Sequence, residues 1–326
     1  MQEPIPAKQQ AAITPATLNE KQVMNDRNDE MSDADTILNQ AQDGHAPRKL
    51  NGHSKAGLKK NIFYALITGA SSGIGKALAL ECASKGMNVL LVALPGEDLK
   101  VVEEEISHKY RVSCKSFGVD LSVHCSSTAV YNWVKEHDYK VNVLVNNVGV
   151  GSKGGFEQLS PDFYHTQIHL NVMTTCMMTR LFINDLKQNG PSHIMNVGSM
   201  GGFFMLPEKV VYSATKAFVY AFSRGLRMEL ASSGITVSVL CPGGTDSNEK
   251  TTAINKDLKG LAKTSILQPH DVAREAVNKM LKGQARIIPG FINKLSYHMG
   301  RMMPEFIHRM FIARAFSHVK KHEYSA

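Results

Sequence analysis

The stretch from Ile62 to Gly75 constrains the fold more than any other part of the chain. Ile62-Phe63-Tyr64-Ala65-Leu66-Ile67 is a short, unbroken apolar run, the pattern of a strand buried on both faces. It leads directly into Thr68-Gly69-Ala70-Ser71-Ser72-Gly73-Ile74-Gly75, after which Ala77, Leu78, Leu80 and Ala83 recur at helical spacing. Strand, glycine-rich turn and helix in succession make a cradle for phosphate. Glycines let the backbone approach the ligand, and the helix start offers free N–H groups and the positive end of the helix dipole. Glycines can also occupy a tight turn for steric reasons alone; the strand before and the helix after favour the binding role. Ser71 and Ser72 can add hydrogen bonds to a phosphate.

The same alternation continues to about residue 288. Strands are predicted at Asn88–Ala93, Val112–Val119, Val141–Val145, His193–Val197, Thr236–Cys241 and Ala285–Ile288. Helices are predicted at Leu99–Lys109, Val123–Glu136 and Asp271–Lys282, with a long one from Pro161 to Lys187 and another from Tyr212 to Leu230. Strands alternating with helices imply an α/β fold: a Rossmann-like, doubly wound parallel sheet in a single domain over residues 61–288. Residues 1–60 hold no Phe, Tyr or Trp and read as a disordered tail with a transient helix near Ala34–Gln42. Between the strand at Thr236–Cys241 and Leu267 the chain is polar and irregular, which suits either a lid or a surface insertion.

Residues 289–326 form a helical C-terminal extension. Phe291, Leu295, Met299, Met302, Met303, Phe306, Met310 and Phe311 mix there with Lys294, Arg301, Arg309, Arg314, Lys320 and Lys321, and Pro304 divides the segment into two helices. An apolar face beside a basic face can lie on an anionic bilayer, cover a substrate mouth or meet a second subunit.

Several residues carry candidate chemistry. Tyr212 and Lys216 are four apart on a helical pattern and so share a face. A phenol with a pKa of about 10 is a poor base at neutral pH, and a neighbouring ammonium is expected to lower that value. Such a tyrosine suits proton exchange with an alcohol or ketone oxygen. Ser199 leaves a strand end shortly before Tyr212, and Asn171 lies in mid-helix, where Asn is disfavoured without a partner. Asn146 and Asn147 end another strand and can bind a ligand or brace the sheet. At the end of the second strand, Ala93-Leu94-Pro95 carry no acid to bind a ribose 2′-hydroxyl. That favours NADP(H), with NAD(H) as the alternative.

Composition narrows the remaining classes. The net charge is +8 and the pI is near 9.1, but no nucleic-acid-binding signature accompanies the basic balance, so it is read as a surface that draws in a phosphate-bearing cofactor. Five cysteines without a Cys-x-x-Cys pair argue against a disulfide framework or a metal site. Cys82, Cys176 and Cys241 read as small buried hydrophobes. A reducing, cytoplasmic location fits, with contact at a membrane surface through the extension as the variant. No run of about 18 apolar residues is present.

These motifs, in this order, resemble the short-chain dehydrogenase/reductase superfamily in its compact single-domain form, over about residues 61–290. They are Thr68-x-x-x-Gly-Ile-Gly75, Asp120, Asn146-Asn-Val-Gly149, Asn171, Ser199, Tyr212-x-x-x-Lys216 and Pro242-Gly243. The family usually has Ala where Val148 stands. The resemblance implies that Tyr212 is the general acid/base and that Ser199 polarises the substrate oxygen. It implies that Lys216 lowers the phenol's pKa and holds the nicotinamide ribose, while Asn171 anchors a water in a proton relay. It assigns the phosphates to the turn Thr68, Gly69, Ser71, Ser72, Gly73, Ile74 and Gly75, the adenine to Asp120, and the cofactor cleft to Asn147, Gly149, Pro242 and Gly243, with Thr245 at the carboxamide. The expected reaction interconverts a carbonyl and an alcohol on a lipophilic substrate, in a homodimer or homotetramer. The rival reading is a non-catalytic nucleotide-binding sensor or scaffold.

Overall fold

The computed structural model describes residues 62–152, 154–204, 206–246 and 261–302. The predicted N-terminal tail, most of the polar stretch before Leu267 and everything after Met302, including the break at Pro304, lie outside these residues.

Seven strands form one parallel sheet: β1 (Phe63–Thr68), β2 (Asn88–Ala93), β3 (Cys114–Gly118), β4 (Lys140–Asn146), β5 (Ser192–Val197), β6 (Ile235–Leu240) and β7 (Arg286–Ile287). Their spatial order is β3-β2-β1-β4-β5-β6-β7. Alternate residues point to opposite faces, and both faces are apolar because both are covered. Leu66, Leu90, Leu144 and Ile194 enter one core with Met178, Phe182 and Leu226. Ile67, Leu91, Val145 and Met195 enter the other with Leu78, Ile106 and Val277. The first set packs under α3 (Ser126–Glu136), α5 (Thr174–Gln188) and α6 (Val210–Glu229), the second under α1 (Gly73–Ser84), α2 (Glu97–Lys109) and α8 (Pro269–Leu281). The chain steps outward from β1 to β3, then returns to β4 on the other side of β1. The C-terminal ends of β1 and β4 therefore flank the switch point where open α/β sheets bind ligands.

The long helix predicted from Pro161 to Lys187 is not continuous. α4 (Pro161–Ile168) passes into a π-turn at His169–Met173 before α5 begins. The wider turn weakens the regular ladder, and side-chain hydroxyls compensate. Thr174 Oγ1 donates to His169 O at 3.2 Å and to Leu121 O at 3.1 Å, and Thr175 Oγ1 donates to Asn171 O at 3.2 Å. Such π-turns concentrate at functional sites, and this one carries Asn171. Helix α3 starts three residues later than predicted. Ser122 N–H donates to the Asp120 carboxylate at 2.8 Å, and Cys125 takes a left-handed conformation, φ 67°. That turn uses up the residues that periodicity had assigned to the helix.

The described part of the extension is α9 (Phe291–Met302), preceded by the short helix α7 (Leu261–Thr264) and α8. Tyr297 is buried in a small third core with Met200, Val219, Val239, Cys241 and Ile288. Arg286 donates to the Tyr297 hydroxyl at 2.7 Å and to that of Tyr220 at 3.2 Å.

Candidate active site

The glycine turn has the shape its sequence predicts. Gly69 has φ +66° and Gly73 has φ +56°, conformations that disfavour any side chain. A methyl group on Gly75 would stand 2.0 Å from Gly69 O, so α1 reaches the turn only because that position is glycine. Ser72 sits at the cap position of α1 without a side-chain hydrogen bond to the helix, and the first turn holds no acid. The N–H groups there are thus left for another acceptor. Ser71 is half-buried, Ser72 is exposed, and Ile74 packs partly into the core.

Thr68 and Asn147 brace the strand ends against each other, one of the two roles open to Asn147. Thr68 is fully buried. Its hydroxyl accepts from Asn147 N–H at 2.9 Å and Val148 N–H at 3.0 Å. Asn147 Nδ2 donates to Thr68 O at 2.9 Å and to Gly69 O at 3.2 Å. The pair therefore stitches the end of β4 to the glycine turn. Asn146 points the other way, into a buried ladder: its Nδ2 donates to Thr179 Oγ1 at 3.0 Å and to Asn196 Oδ1 at 2.8 Å.

Beyond Asn147 the strand end meets the catalytic candidates. A methyl group on Gly149 would lie 2.7 Å from Asn171 Oδ1 and 3.4 Å from Lys216 Nζ. Asn171 is almost fully buried. Its Oδ1 accepts from Val150 N–H at 2.8 Å, and its Nδ2 donates to Val150 O at 3.1 Å and to Thr215 Oγ1 at 3.0 Å. Thr215 in turn donates to Tyr212 O at 2.7 Å. One hydrogen-bonded chain thus joins the end of β4, the π-turn and α6.

Ser199, Tyr212 and Lys216 come together at the end of β5. Ser199 Oγ accepts from Gly201 N–H at 3.0 Å, and its hydroxyl is close enough to the Tyr212 phenol to act on it. Gly202 lets this turn lie on α6, since a methyl group there would be 2.8 Å from the Lys216 carbonyl carbon. Lys216 Nζ lies 5.9 Å from the centre of the Tyr212 ring and donates to Val197 O at 2.9 Å.

The electrostatics depart from the sequence reading. Burial pushes the Tyr212 phenol above its ordinary value, while the Ser199 hydroxyl pulls the other way. The ring keeps some exposure; the hydroxyl end is the desolvated part. Lys216, buried, falls to about 8 through desolvation, with a smaller opposing influence from Cys241. Burial and Ser199, rather than Lys216, set the direction of the Tyr212 shift, and the ammonium donates to a backbone carbonyl of β5. Burial likewise raises the Cys241 thiol to about 12, against the pull of Arg286 and Lys216. Cys241 and Cys82 are buried as predicted, whereas Cys176 is only half-buried.

The other expected contacts are spread out. Pro242 O accepts from Met200 N–H at 2.9 Å. Gly243 faces Asn293 of α9, whose Oδ1 would be 2.5 Å from an added methyl group. Thr245 is buried, and its hydroxyl donates to Gly243 O at 3.3 Å. Asp120 stays well exposed, with its carboxyl held below the usual range by Ser122. Thr215, Asn196 and Asn293 were not singled out by sequence reading. Gln167, also missed, was visible in principle, since it precedes Asn171 by one helical turn. Among the described residues no cluster of His, Cys, Asp or Glu could hold a metal ion.

Comparison with known proteins places the fold. The sequence pattern of the short chain dehydrogenase family matches residues 64–259. A very-long-chain 3-oxoacyl-CoA reductase of Danio rerio is 37% identical over 185 residues, which are 55% of this chain and 58% of that protein. The match therefore spans little more than half the length of that relative. A hydroxysteroid dehydrogenase-like protein 1 of Gallus gallus is 30% identical over 270 residues, covering 81% of this chain and 78% of that one. A solved short-chain dehydrogenase of Sphingobium yanoikuyae, in complex with NADPH, superposes with a TM-score of 0.64 at 26% identity, over 74% of this chain and 96% of the other.

Proposed function

Because this chain belongs to the short-chain dehydrogenase family, we propose that it is an NADP(H)-dependent oxidoreductase that interconverts a carbonyl and an alcohol on a lipophilic substrate. The observation that carries this reading is the convergence of Ser199, Tyr212 and Lys216 beside Gly149, one residue past the segment that Asn147 ties to the glycine turn.

The residues present fit a dinucleotide. The uncapped start of α1 and the positive-φ glycines at Gly69 and Gly73 suit its phosphates. Lys216 suits the nicotinamide ribose, with Asp120 and Thr245 toward its two ends. A bound nicotinamide would supply the hydride chemistry. The chain supplies the proton. Tyr212, a neutral phenol at neutral pH, gives its proton to the substrate oxygen in the reducing direction, and Ser199 orients that oxygen. Asn171 and Thr215 fix α6 against the strand end, so the proton donor stays in register. The absence of an acid at Ala93-Leu94-Pro95 supports NADP(H) over NAD(H). The names of the 3-oxoacyl-CoA reductase and hydroxysteroid dehydrogenase-like relatives support a lipophilic substrate.

A fluorescence titration with NADPH and NADH tests the cofactor, followed by a carbonyl panel watched through loss of reduced-nicotinamide absorbance. Tighter NADPH binding, with turnover of long-chain 3-oxoacyl thioesters or hydrophobic ketones, is expected. Failure to bind either nucleotide would refute the reading; binding without turnover of any carbonyl would favour the sensor or scaffold.

A second reading concerns where the protein works. Phe291, Leu295, Met299 and Met302 lie along one side of α9 and are 47–86% exposed, beside Lys294 and Arg301. This stripe supports peripheral contact with an anionic membrane from the cytoplasm. Among the described residues no helix is long and apolar enough to cross a membrane. Co-sedimentation with anionic vesicles is expected to weaken in a Phe291→Asp/Leu295→Asp variant; equal binding by both forms would rule out the stripe. Exposed Ile168, Met173, Met177 and Phe218 on the helices around Asn171 and Tyr212 support a homodimer or homotetramer, which light scattering would detect.

A further inference from the structure

Gln167 lies fully buried in α4, one helical turn before Asn171. A neutral amide in such a place is costly unless its hydrogen bonds compensate. Gln167 Nε2 donates to Val150 O at 3.2 Å. That carbonyl also accepts from Asn171 Nδ2 at 3.1 Å, while Val150 N–H donates to Asn171 Oδ1 at 2.8 Å. A carbonyl has two lone pairs, so both donors are accommodated. Two side chains from one helical stretch therefore grip both polar groups of a single backbone residue. Both N–H groups of the Asn171 amide are committed, since the second goes to Thr215 on α6. Gln167 Oε1 is buried and finds no partner among the described residues. A leucine or methionine would fill the same space without that penalty. The position retains an amide at a cost in stability, and the one contact the amide makes is with Val150.

Val150 follows Gly149, the residue that abuts Asn171 Oδ1 and Lys216 Nζ. Any drift of Val150 moves the strand end against the lysine. We propose that Gln167 is a positioning residue: it clamps Val150 so that Asn171 can serve the strand end and α6 at once, keeping Gly149 seated on Lys216. The idea rests on the oxidoreductase reading for its rate measurements, but not for its structural one.

The test compares the full chain with Gln167→Met and Gln167→Glu. In Gln167→Met, hydrogen exchange at residues 147–151 is expected to quicken, with kcat falling about tenfold and the KM for NADPH unchanged. Gln167→Glu is the diagnostic variant. A neutral carboxylic acid can still donate to Val150 O, and burial raises its pKa. Its rate relative to the original chain is expected to be close to one near pH 6 and to fall as pH rises and the carboxyl ionises. Unchanged exchange in Gln167→Met overturns the clamp whatever the rates do, and so does a Gln167→Glu rate ratio that is flat with pH. If the original chain turns over no carbonyl, the functional reading fails, and exchange at residues 147–151 alone decides the clamp.

Discussion

The two banks of the candidate site are built on opposite principles. On the β1 bank, Thr68 and Asn147 satisfy backbone groups of the strand ends and glycine turn, and neither titrates. On the β5 bank, Tyr212, Lys216 and Cys241 are all titratable, and burial shifts all three. The first bank gains rigidity from its polar groups. The second holds a phenol and a thiol neutral and keeps one cation, Lys216, out of water at a cost in stability. For Lys216 the fall to about 8 corresponds to a cost on the order of 3 kcal/mol, at about 1.4 kcal/mol per pH unit. The sign follows from linkage. Below about pH 8 the lysine is protonated in both folded and unfolded chains and the cost is present in full. Between about pH 8 and its ordinary value of 10.5 the unfolded chain binds more protons, so stability rises with pH there. Shape is thus stored on one side of the site and reactivity on the other.

Substitutions on each bank should therefore separate activity from stability. Tyr212→Phe is expected to give the largest change, a loss of roughly a thousandfold or more in turnover. NADPH binding and melting temperature should stay close to those of the original chain, and retained turnover would remove Tyr212 from its role. Lys216→Met should lower turnover by about a hundredfold yet raise the melting temperature at pH 7, as measured by calorimetry. That gain should shrink toward pH 10.5, and a destabilised variant would break the contrast. On the other bank, Gly75→Ala forces a methyl group against Gly69 O. It should destabilise the fold by about 1–3 kcal/mol and weaken NADPH binding in the same fluorescence titration. Thr68→Val keeps the shape but leaves two N–H groups without their acceptor. A loss of about 1–3 kcal/mol in denaturant unfolding is expected, with kcat little changed. The smallest effect lies away from both banks, at Glu275. Burial alone would raise its pKa, but Lys279, Lys294 and Gly290 N–H bring it down to about 2. Its stabilisation is present above about pH 4.5 and is lost as pH falls toward 2. Glu275→Gln should flatten acid unfolding over that interval.

What the sequence revealed follows the same division. The sheet was legible because its strands are apolar on both faces, and the glycine turn because conformation dictates residue type at Gly69, Gly73 and Gly75. The convergence of Ser199, Tyr212 and Lys216 followed from strand ends and helical spacing. Their electrostatics did not. Helical spacing puts Lys216 on the face of Tyr212, but it cannot show that Val197 O, on a neighbouring strand, engages the ammonium. The π-turn at Asn171 depends on hydroxyls that return to the helix backbone, a tertiary compensation that periodicity does not register. Asn147 was read as binding a ligand or bracing the sheet; its hydrogen bonds with Thr68, each side chain on the other's backbone, are the bracing that position alone could not tell from binding.

The contrast between the banks rests on a desolvated cation at Lys216, and lysine-selective NMR reads that cation directly. With the lysine ε-carbons labelled, one resonance should titrate near pH 8 and disappear in Lys216→Met. A spectrum in which every lysine titrates near its ordinary value would contradict the account.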